Sequence, residues 1–375
     1  MTDRYRRAIM AGGRSRLLSI IGVAALCVGG ADAGLLVLRS SAGTPAVAAV
    51  RPAPRSVRGA SGGQSGAGAP PDPTVPGPVN IAPQVAPPSR GTVSAGPWRV
   101  GLTTARFVDK SRPAPARAGG GPGRTLDTLV SYPIDGDPGA APVDGGPAPA
   151  AGHFPLVVFV HGFDVTPTTY AALTEAWTRA GYVVASPAFP GEVGGEDGAT
   201  QDDLPNEPAD VRFVITSMLA PNAPVRGAID ATRIAVAGHS DGGEVAAGVG
   251  LDRCCADPRV NATIVMSGAE LGVAGSGYAG VRHAPALIIQ SDADEVNDPA
   301  NAVQLYNDTP GQVWYLDLIG GRHLGPFLGT DPHWAIVGQV TVDFLNLNLK
   351  GGTGLINQFE RDAIVPGLAK LYLKK

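Results

Sequence analysis

Apolar positions fall in short runs from Leu126 onward, and longer stretches of mixed apolar and polar residues separate these runs. The runs are typical of buried parallel strands, which are apolar on both faces. They lie at residues 126–132, 156–160, 182–186, 233–237, 262–266, 286–290 and 313–319. Stretches of helical period, such as 168–180 and 208–220, lie between them. Strands that alternate with helices predict an α/β fold, with a mostly parallel central sheet covered by helices on both faces.

The preceding part of the chain shows no such period. Residues 39–96 are dominated by Ala, Pro, Gly and Ser. Such a segment cannot bury enough apolar surface to offset the entropy of ordering, so we expect a disordered linker. Two shorter Pro- and Gly-rich stretches, Pro113–Gly123 and Asp135–Gly152, are interpreted as loops between early strands. The remaining body, residues 97–375, has the size of one α/β domain.

Residues 1–38 have the features of a targeting segment. Arginines precede the apolar run Leu17–Val28, and Ala31–Ala33 offers small residues for cleavage, as in a signal peptide. An uncleaved membrane anchor over Leu17–Leu38 is the alternative, although Asp32 lies near its outer end. In both cases the arginines stay inside. We therefore expect an exported body, either secreted or held in the cell envelope by its N-terminus.

A turn near the middle of the body carries the main chemical signal. The strand-like run 233–237 ends in Gly238-His239-Ser240-Asp241-Gly242-Gly243, and a helical stretch follows. A G-x-S-x-G turn between a strand and a helix predicts a nucleophile elbow, which lifts the hydroxyl of Ser240 clear of the sheet. Gly238 and Gly242 are required where strand and helix pass closest, since a Cβ would collide there.

A serine nucleophile needs a base, and the chain has six histidines. His161 and His239 lie inside turn motifs. His153 and His283 precede strands, so they lie at the amino ends of the strands, opposite to the edge where sites form. His323 follows the run 313–319 through a short Gly-rich loop, at the correct edge. His333 lies where the next helix is expected to begin, a place more typical of packing. We therefore favour His323 as the base and keep His333 as the alternative.

The orienting acid is expected after the strand at 286–290. The loop that follows contains several carboxylates, of which Asp294 lies far enough along for the chain to turn it toward the base. Asp292 is the alternative, and the other carboxylates are interpreted as a solvated turn or a helix cap. The resulting chain order, Ser then Asp then His, is one known arrangement of a catalytic triad.

Backbone amides complete the predicted site. The residue after the nucleophile, Asp241, offers one N–H to a developing oxyanion. The second is expected from Phe163, because the apolar run 154–160 leads directly into His161-Gly162-Phe163. His161 itself is interpreted as a structural loop histidine.

With these residues in place, the chain resembles α/β-hydrolases of the group that includes platelet-activating-factor acetylhydrolases, dienelactone hydrolases and chlorophyllases, to which bacterial polyester hydrolases are similar. The resemblance covers roughly residues 98–350 and rests on a series of segments. Besides the elbow and the Asp294 and His323 loops, these are Val100–Thr104, Arg124–Leu126, Val130–Pro133, Val160–Phe163, Pro187–Pro190 and Asn206–Val211.

The resemblance implies roles for the matching residues. Ser240, Asp294 and His323 would be nucleophile, acid and base, and the amides of Phe163 and Asp241 would form the oxyanion hole. Two positions depart from the pattern: Ser291 replaces a frequent Gly, and Asp241 replaces a larger apolar residue. An acidic Asp241 would line the floor of the pocket and separate this chain from the group in its substrate.

Cysteine and charge restrict the other possibilities. The body has only the adjacent Cys254 and Cys255, which we interpret as two buried or partly buried thiols, with a vicinal disulfide as the alternative. There is no CxxC metal motif, and we expect no metal or cofactor. The formal net charge is −4, and no basic stripe indicates nucleic-acid binding.

One long loop after the strand ending at Ser186 gathers acidic residues. They are Glu192, Glu196, Asp197, Asp202, Asp203 and Glu207. These residues would either rim the site and repel anionic substrates or form a solvated, Gly-rich loop. The segment Gly268–Pro285 is too short and too rich in Gly for a helical lid, so we expect an open cleft.

These observations predict an exported serine carboxylic-ester hydrolase without a large cap domain, acting on lipid-like or bulky esters as platelet-activating-factor acetylhydrolases do. A polyester or cutinase-like hydrolase and an acyltransferase are the alternatives within the enzymes. A binding protein on an inactive hydrolase fold, tethered to the envelope, is the non-enzyme alternative. We expect a monomer whose partner is a small-molecule, lipid or polymeric ester.

Overall fold

The computed structural model describes residues 96–193, 198–268, 277, 284–352 and 354–374. The predicted targeting segment and all of the predicted linker except Gly96 lie outside these residues, as do Glu196, Asp197 and His283. Most of the segment on which the open cleft was predicted, 269–276 and 278–283, is also outside them. Within the described ranges, no helix has both the length and the apolar character needed to cross a bilayer.

The described residues form one nine-stranded sheet in the order β1-β2-β4-β3-β5-β6-β7-β8-β9. The strands are β1 (Arg99–Pro113), β2 (Pro122–Ile134), β3 (Phe154–Val160), β4 (Val183–Pro187), β5 (Ile229–His239), β6 (Val260–Met266), β7 (Ala286–Ser291), β8 (Val313–Leu318) and β9 (Ala369–Lys374). Strands β4, β3, β5, β6, β7 and β8 are parallel, while β1, β2 and β9 pair antiparallel at the two sides. The predicted α/β-hydrolase fold class, a mostly parallel central sheet, is therefore confirmed.

All seven predicted strands are present, but β1 and β9 were not predicted as strands. Both are edge strands in which buried and exposed residues are mixed, so polar and basic residues interrupt their apolar pattern. β1 is the long outer partner of β2, to which it pairs from Arg99 opposite Ile134 onward. A side strand does not need to be apolar on both faces, which is why continuous apolar runs do not reveal these two.

Six α-helices connect and cover the sheet in the described part of the chain. They are α1 (Ala171–Arg179), α2 (Glu207–Met218), α3 (Asp241–Leu251), α4 (Pro299–Asp308), α5 (Trp334–Leu345) and α6 (Leu355–Ala363). Apolar residues of α2 and α3 share one buried cluster with β3 and β5, and those of α1, α5 and α6 share the cluster on the other face. The predicted helices at 168–180 and 208–220 correspond to α1 and α2.

Strand β3 shows how the two layers of core are built. Leu156 and Val158 belong to the cluster that contains Val214 of α2, whereas Val157 and Phe159 belong to the cluster that contains Trp177 of α1. Alternate side chains of a strand point to opposite faces, so a strand with no polar position must have helices on both sides. Each such buried side chain contributes about 1.5–3 kcal/mol relative to exposure. This core fixes the carboxyl ends of β5, β7 and β8 at one edge.

Candidate active site

Ser240 occupies a strained turn between β5 and α3. Its backbone angles are φ 57° and ψ −124°, a region that non-glycine residues rarely adopt. The Ser240 amide donates a hydrogen bond to the carbonyl of Met266 on the neighbouring strand β6, at 2.9 Å. Such backbone strain costs about 1–3 kcal/mol and persists only where the surrounding structure holds it. This is the geometry of a nucleophile elbow.

The two elbow glycines are required by contact with backbone. A Cβ added to Gly238 would lie 1.9 Å from the carbonyl oxygen of Gly242. A Cβ added to Gly242 would lie 2.2 Å from the carbonyl oxygen of Val160 on β3. Both contacts are with main-chain atoms, which cannot move aside as a side chain can. Any larger residue at either position would separate α3 from the sheet.

The structure brings Ser240, His323 and Asp294 together. The Ser240 Oγ lies 3.0 Å from Nε2 of His323. The other ring nitrogen of His323, Nδ1, lies 2.9 Å from Oδ2 of Asp294 and 3.0 Å from its Oδ1. Asp292 instead accepts a hydrogen bond from the Gly320 amide, at 2.6 Å. The structure thus places Asp294, and not Asp292, against the ring of His323.

Asp294 is held as an oriented anion. Its Oδ1 accepts from the amides of Val296 and Asn297, both at 2.9 Å, and its Oδ2 accepts from Nε2 of Gln290 at 3.0 Å. Burial alone would raise the pKa of Asp294, but the hydrogen bond and charge of His323, together with the two amides, outweigh burial and lower it. A carboxylate on Nδ1–H leaves Nε2 of His323 free to accept a proton from Ser240.

Hydrogen bonds to two residues that the sequence did not indicate as part of the site hold the loop that carries His323. Ser291 Oγ donates to the carbonyl of Arg322 at 3.0 Å. The His323 amide donates to Oε2 of Glu295 at 3.2 Å, and the guanidinium of Arg322 bonds Oε1 of the same residue at 3.0 Å. The departure at Ser291 therefore supplies a contact to the loop of the predicted base.

One predicted oxyanion amide, that of Asp241, belongs to the elbow, and the other, that of Phe163, belongs to a loop beside it. Neither the Phe163 amide nor the Asp241 amide has an acceptor among the described residues, so both can donate to a substrate oxygen. The loop that carries Phe163 touches the elbow, since a Cβ added to Gly162 would lie 3.0 Å from Cβ of Ser240. An oxyanion hole requires two free N–H groups close to the nucleophile.

His161 holds the Phe163 loop in place. Its Nε2 accepts a hydrogen bond from the Phe189 amide at 3.2 Å, and its Nδ1 donates to the carbonyl of Gly162 at 2.8 Å. Burial lowers the pKa of His161 to about 4, so the ring is neutral near pH 7. The structure gives this histidine a structural position, without contact to the hydroxyl of Ser240.

His333, the alternative base, immediately precedes α5. Its Nδ1 lies 2.6 Å from Oδ1 of Asp331, and its Nε2 lies 2.9 Å from the carbonyl of Ile319. Both ring nitrogens are thus engaged by groups other than the hydroxyl of Ser240. His153 is exposed at the start of β3, and its ring makes none of the contacts described for the triad.

The expected acidic rim is largely buried. Of the acidic residues in this loop that the structure describes, Glu192, Asp203 and Glu207 are buried and Asp202 is exposed. Neither expectation, an exposed charged rim or a solvated loop, describes the buried ones. A sequence shows the residue type but not which neighbours exclude water from it.

Glu192, Glu207 and Asp241 form a cluster of carboxyl groups beside Ser240, hereafter the carboxyl cluster. Glu192 interacts electrostatically with Glu207 and with Asp241, and the carboxyl oxygens of the two glutamates have no hydrogen-bond donor among the described residues. An ionised carboxylate only accepts, so two such groups can share a hydrogen bond only if one of them keeps its proton. Burial raises the pKa of all three, and that of the two glutamates well above the ordinary value. The side chain of Asp241 also accepts from Nε2 of Gln201 at 2.5 Å, so its carboxyl is engaged by protein groups.

An ion-pair group supports the outer side of this cluster. Arg124, at the start of β2, is buried and lies 2.5 Å from a carboxylate oxygen of Asp203 and 2.5 Å from one of Asp210. Arg112 reaches Asp210 as well, at 2.5 Å. Asp210 is on the first turn of α2, as is Glu207 of the carboxyl cluster. The Arg124 and Asn206–Val211 segments quoted for the family resemblance are therefore in direct contact.

Cys254 and Cys255 are joined by a vicinal disulfide, so the expectation of two separate thiols is wrong. The pair lies in the turn after α3, where the Cys255 amide donates to the carbonyl of Asp252. That turn brings consecutive residues into range, which residue identity alone does not reveal. Among the described residues, no group of three or more His, Cys, Asp or Glu side chains could hold a metal ion.

Comparisons with known proteins relate this chain to a protein family and to a solved structure. The family described as Chlorophyllase matches residues 146–287, which include the Phe163 loop and the elbow. A ferulic acid esterase from Streptomyces cinnamoneus has a similar solved structure, with a TM-score of 0.56 and 24% sequence identity. The match covers 71% of this chain and 93% of that one. No curated protein matches this chain in sequence.

Fold, elbow and comparisons agree on the fold class. The chain has the α/β-hydrolase fold, and its residues 146–287 are similar to the chlorophyllase family. The fold itself is shared by 1053 solved chains, so the substrate must be argued from the site.

Proposed function

We propose that this protein is an exported serine carboxylic-ester hydrolase that acts on lipid-like or bulky esters. The observation that carries the proposal is the line of contacts from Ser240 Oγ to His323 Nε2, at 3.0 Å, and from His323 Nδ1 to Asp294, at 2.9 Å. The similarity to the chlorophyllase family and to a ferulic acid esterase supports a carboxylic ester as substrate. Export is supported by the arginines and the apolar run of residues 1–38.

The reaction has two halves, acylation and deacylation. His323 takes the proton of Ser240 as the Oγ attacks the ester carbonyl, and the oxygen that becomes negative binds the Phe163 and Asp241 amides. His323 then gives the proton to the leaving alcohol as the acyl-enzyme forms. Water enters, His323 removes its proton, and the acid departs while Ser240 recovers its hydrogen. Asp294 keeps the imidazole in the tautomer that both halves need.

A fluorophosphonate probe tests the nucleophile directly. Folded wild type should be labelled at Ser240, as located by peptide mass, and Ser240→Ala should lose both the label and hydrolysis of a short p-nitrophenyl ester. Ser217→Ala on α2, outside the triad, is the matched serine control and should keep both. Labelling elsewhere, or esterase activity retained in Ser240→Ala, would contradict the proposal and favour a binding protein on this fold.

The substrate class is tested by a screen of wild type against Ser240→Ala. Acetyl and long-acyl esters, a feruloyl ester, an acetylated phospholipid and a polyester film cover the candidates. We expect the highest kcat/KM on an ester with a lipid-like or bulky alcohol. Preference for polymer release would instead favour the polyester hydrolase alternative, and transfer to an added alcohol in place of water would favour the acyltransferase.

A further inference from the structure

His239, the residue before the nucleophile, joins the loop of the predicted base to a tyrosine at the start of α1. The ring is buried between β5 and the His323 loop. Its Nε2 lies 2.8 Å from the carbonyl oxygen of His323, and its Nδ1 lies 2.8 Å from Oη of Tyr170. Neither nitrogen reaches the hydroxyl of Ser240, so the triad mechanism leaves this histidine without a role.

The directions of these hydrogen bonds follow from the chemistry of the partners. A carbonyl oxygen only accepts, so Nε2 of His239 must carry the hydrogen that bonds His323. In a neutral imidazole, Nδ1 is then the acceptor, and the hydroxyl of Tyr170 donates to it. Burial lowers the pKa of His239 to about 3, which keeps the ring in this neutral form near pH 7.

The chain of contacts continues to the loop of the predicted oxyanion hole. The hydroxyl of Tyr170 lies against Gly162, since a Cβ added to Gly162 would lie 3.2 Å from that oxygen. Gly162 directly precedes Phe163, whose amide is a predicted oxyanion donor. The contact of Gly162 with Tyr170 and the hydrogen bonds from Tyr170 to His239 and from His239 to His323 therefore form one path that links the Phe163 loop to the His323 loop.

Packing fixes the orientation of the His239 ring. The ring centroid lies 4.8 Å from that of His323 and 4.6 Å from that of Phe327. Tyr170 in turn packs against Phe159 of β3, with centroids 4.9 Å apart. Since aromatic neighbours on several sides leave the ring little freedom, its N–H is held at one place under the carbonyl of His323.

We infer that His239 and Tyr170 are positioning residues, which set the place of the catalytic imidazole relative to the oxyanion amides through the path Gly162–Tyr170–His239–His323. This inference rests on the proposed function. Ser291 and Glu295 hold the Arg322 carbonyl and the His323 amide, whereas His239 holds the carbonyl of the base residue itself. A displacement of about 1 Å at such a group costs about 100-fold in rate.

Three variants test the inference. In His239→Met a side chain of similar size loses the donor, and kcat should fall about 10–100-fold with KM within about twofold. His239→Gln keeps an N–H near the position of Nε2 and should recover most of the lost kcat. Tyr170→Phe keeps the ring but removes the hydroxyl, and should lower kcat about 3–10-fold, the effect of one buried hydrogen bond.

The matched control is Ser131→Ala on β2. It removes a buried hydrogen bond between the hydroxyls of Ser131 and Thr178, 2.8 Å apart, without touching the path. This variant should leave kcat unchanged even if it lowers the melting temperature. The labelling rate of Ser240 by the fluorophosphonate should follow kcat across the series, which a loss of stability alone would not produce.

The outcomes separate the inference from the proposed function. If Ser240→Ala retains hydrolysis, the proposed function and the inference both fail. If Ser240→Ala is inactive while folded His239→Met and Tyr170→Phe keep kcat within about twofold, the inference alone is overturned. An equal fall in His239→Gln and His239→Met would also overturn it. If His239→Met does not fold, the kcat of Tyr170→Phe is compared with that of Ser131→Ala. Equal values would overturn the inference.

Discussion

Two groups of buried acidic residues flank Ser240, and their environments are opposite. On one side, Asp294 accepts hydrogen bonds from Gln290, two amides and His323, and its pKa is lowered. On the other side, the carboxyl oxygens of Glu192 have no hydrogen-bond donor among the described residues, and burial raises the pKa of Glu192 well above the ordinary value. The surroundings therefore favour the ionised form of Asp294 and the protonated form of Glu192. Proximity to the nucleophile therefore says little about charge, because the donors around each group decide it.

The comparison predicts that substitutions on the two sides of Ser240 have different effects. Asp294 orients the predicted base, so substitutions on its side should lower kcat with little change in the free energy of unfolding. The side of the carboxyl cluster holds a loop and a helix start, so changes there should reduce stability first. The variants below separate these effects, from the largest to the smallest.

Asp294→Asn should give the largest effect. The amide cannot hold the Nδ1–H tautomer of His323, and kcat should fall about 10⁴-fold, as expected when a triad acid is replaced by its amide. Ester hydrolysis under saturating substrate measures it. Asp292→Asn is the matched control, since Asp292 bonds only the Gly320 amide within the described contacts. That control should lose less than about fivefold, the effect of one exposed hydrogen bond. A larger loss of kcat in Asp292→Asn than in Asp294→Asn would instead identify Asp292 as the triad acid.

Arg124→Met should give the next effect, on stability. It leaves Asp203 without its buried arginine partner and Asp210 with only Arg112, and breaking such a buried pair costs about 3–5 kcal/mol. Urea unfolding measures it. Arg106→Gln removes an exposed pair with Asp127 and should leave the unfolding midpoint unchanged. Equal midpoints for the two variants would contradict the assignment of this side to stability.

The carboxyl cluster should make unfolding depend on pH. Because the folded pKa of Glu207 lies above its unfolded value, the folded state binds more protons, so the free energy of unfolding falls as pH rises from about 4.5 through the raised pKa. Glu207→Gln mimics the protonated form and should reduce this loss of unfolding free energy. The reduction is about 1.4 kcal/mol for every pKa unit by which Glu207 differs between the folded and unfolded states. Asp294, whose pKa is lowered from 3.8, acts with the opposite sign, and its contribution is lost as the pH falls below that value.

Urea unfolding at several pH values measures this effect. The folded wild type should be most stable relative to Glu207→Gln near pH 5, and the advantage should shrink toward pH 8. A parallel pH dependence in both proteins would mean that Glu207 is ionised in the folded state and that the carboxyl cluster does not share protons.

Much of the fold could be predicted because its signals are local. The seven apolar strands and the helices α1 and α2 follow from the period of the sequence. Strands β1 and β9 could not be found in this way, since a side strand such as Ala369–Lys374 becomes a strand only by pairing with β8. The vicinal disulfide of Cys254 and Cys255 likewise depends on the turn that follows α3.

The candidate site also combines features that are local in the sequence with contacts between distant segments. The elbow was predicted from its own residues, because glycine, a preceding strand and a following helix are features of one short segment. The roles of Ser240, Asp294 and His323 remain predictions that the contacts support and that the variants above test. The fastening of His323 by Ser291, Glu295 and His239 was not anticipated, because these contacts join loops that are distant in the chain.

By itself the sequence determined the alternation of strands and helices, the strained turn at Ser240 and the chain order of nucleophile, acid and base. These depend on interactions within a few residues of each other and on the rule that parallel strands end at one edge. The tertiary structure alone decided that Asp294 rather than Asp292 meets His323, that Glu192 and Glu207 are buried among carboxyls, and that His239 holds the base loop. Burial and hydrogen-bond partners arise only when distant segments pack together, and they set both the charge of a carboxyl and the place of an imidazole.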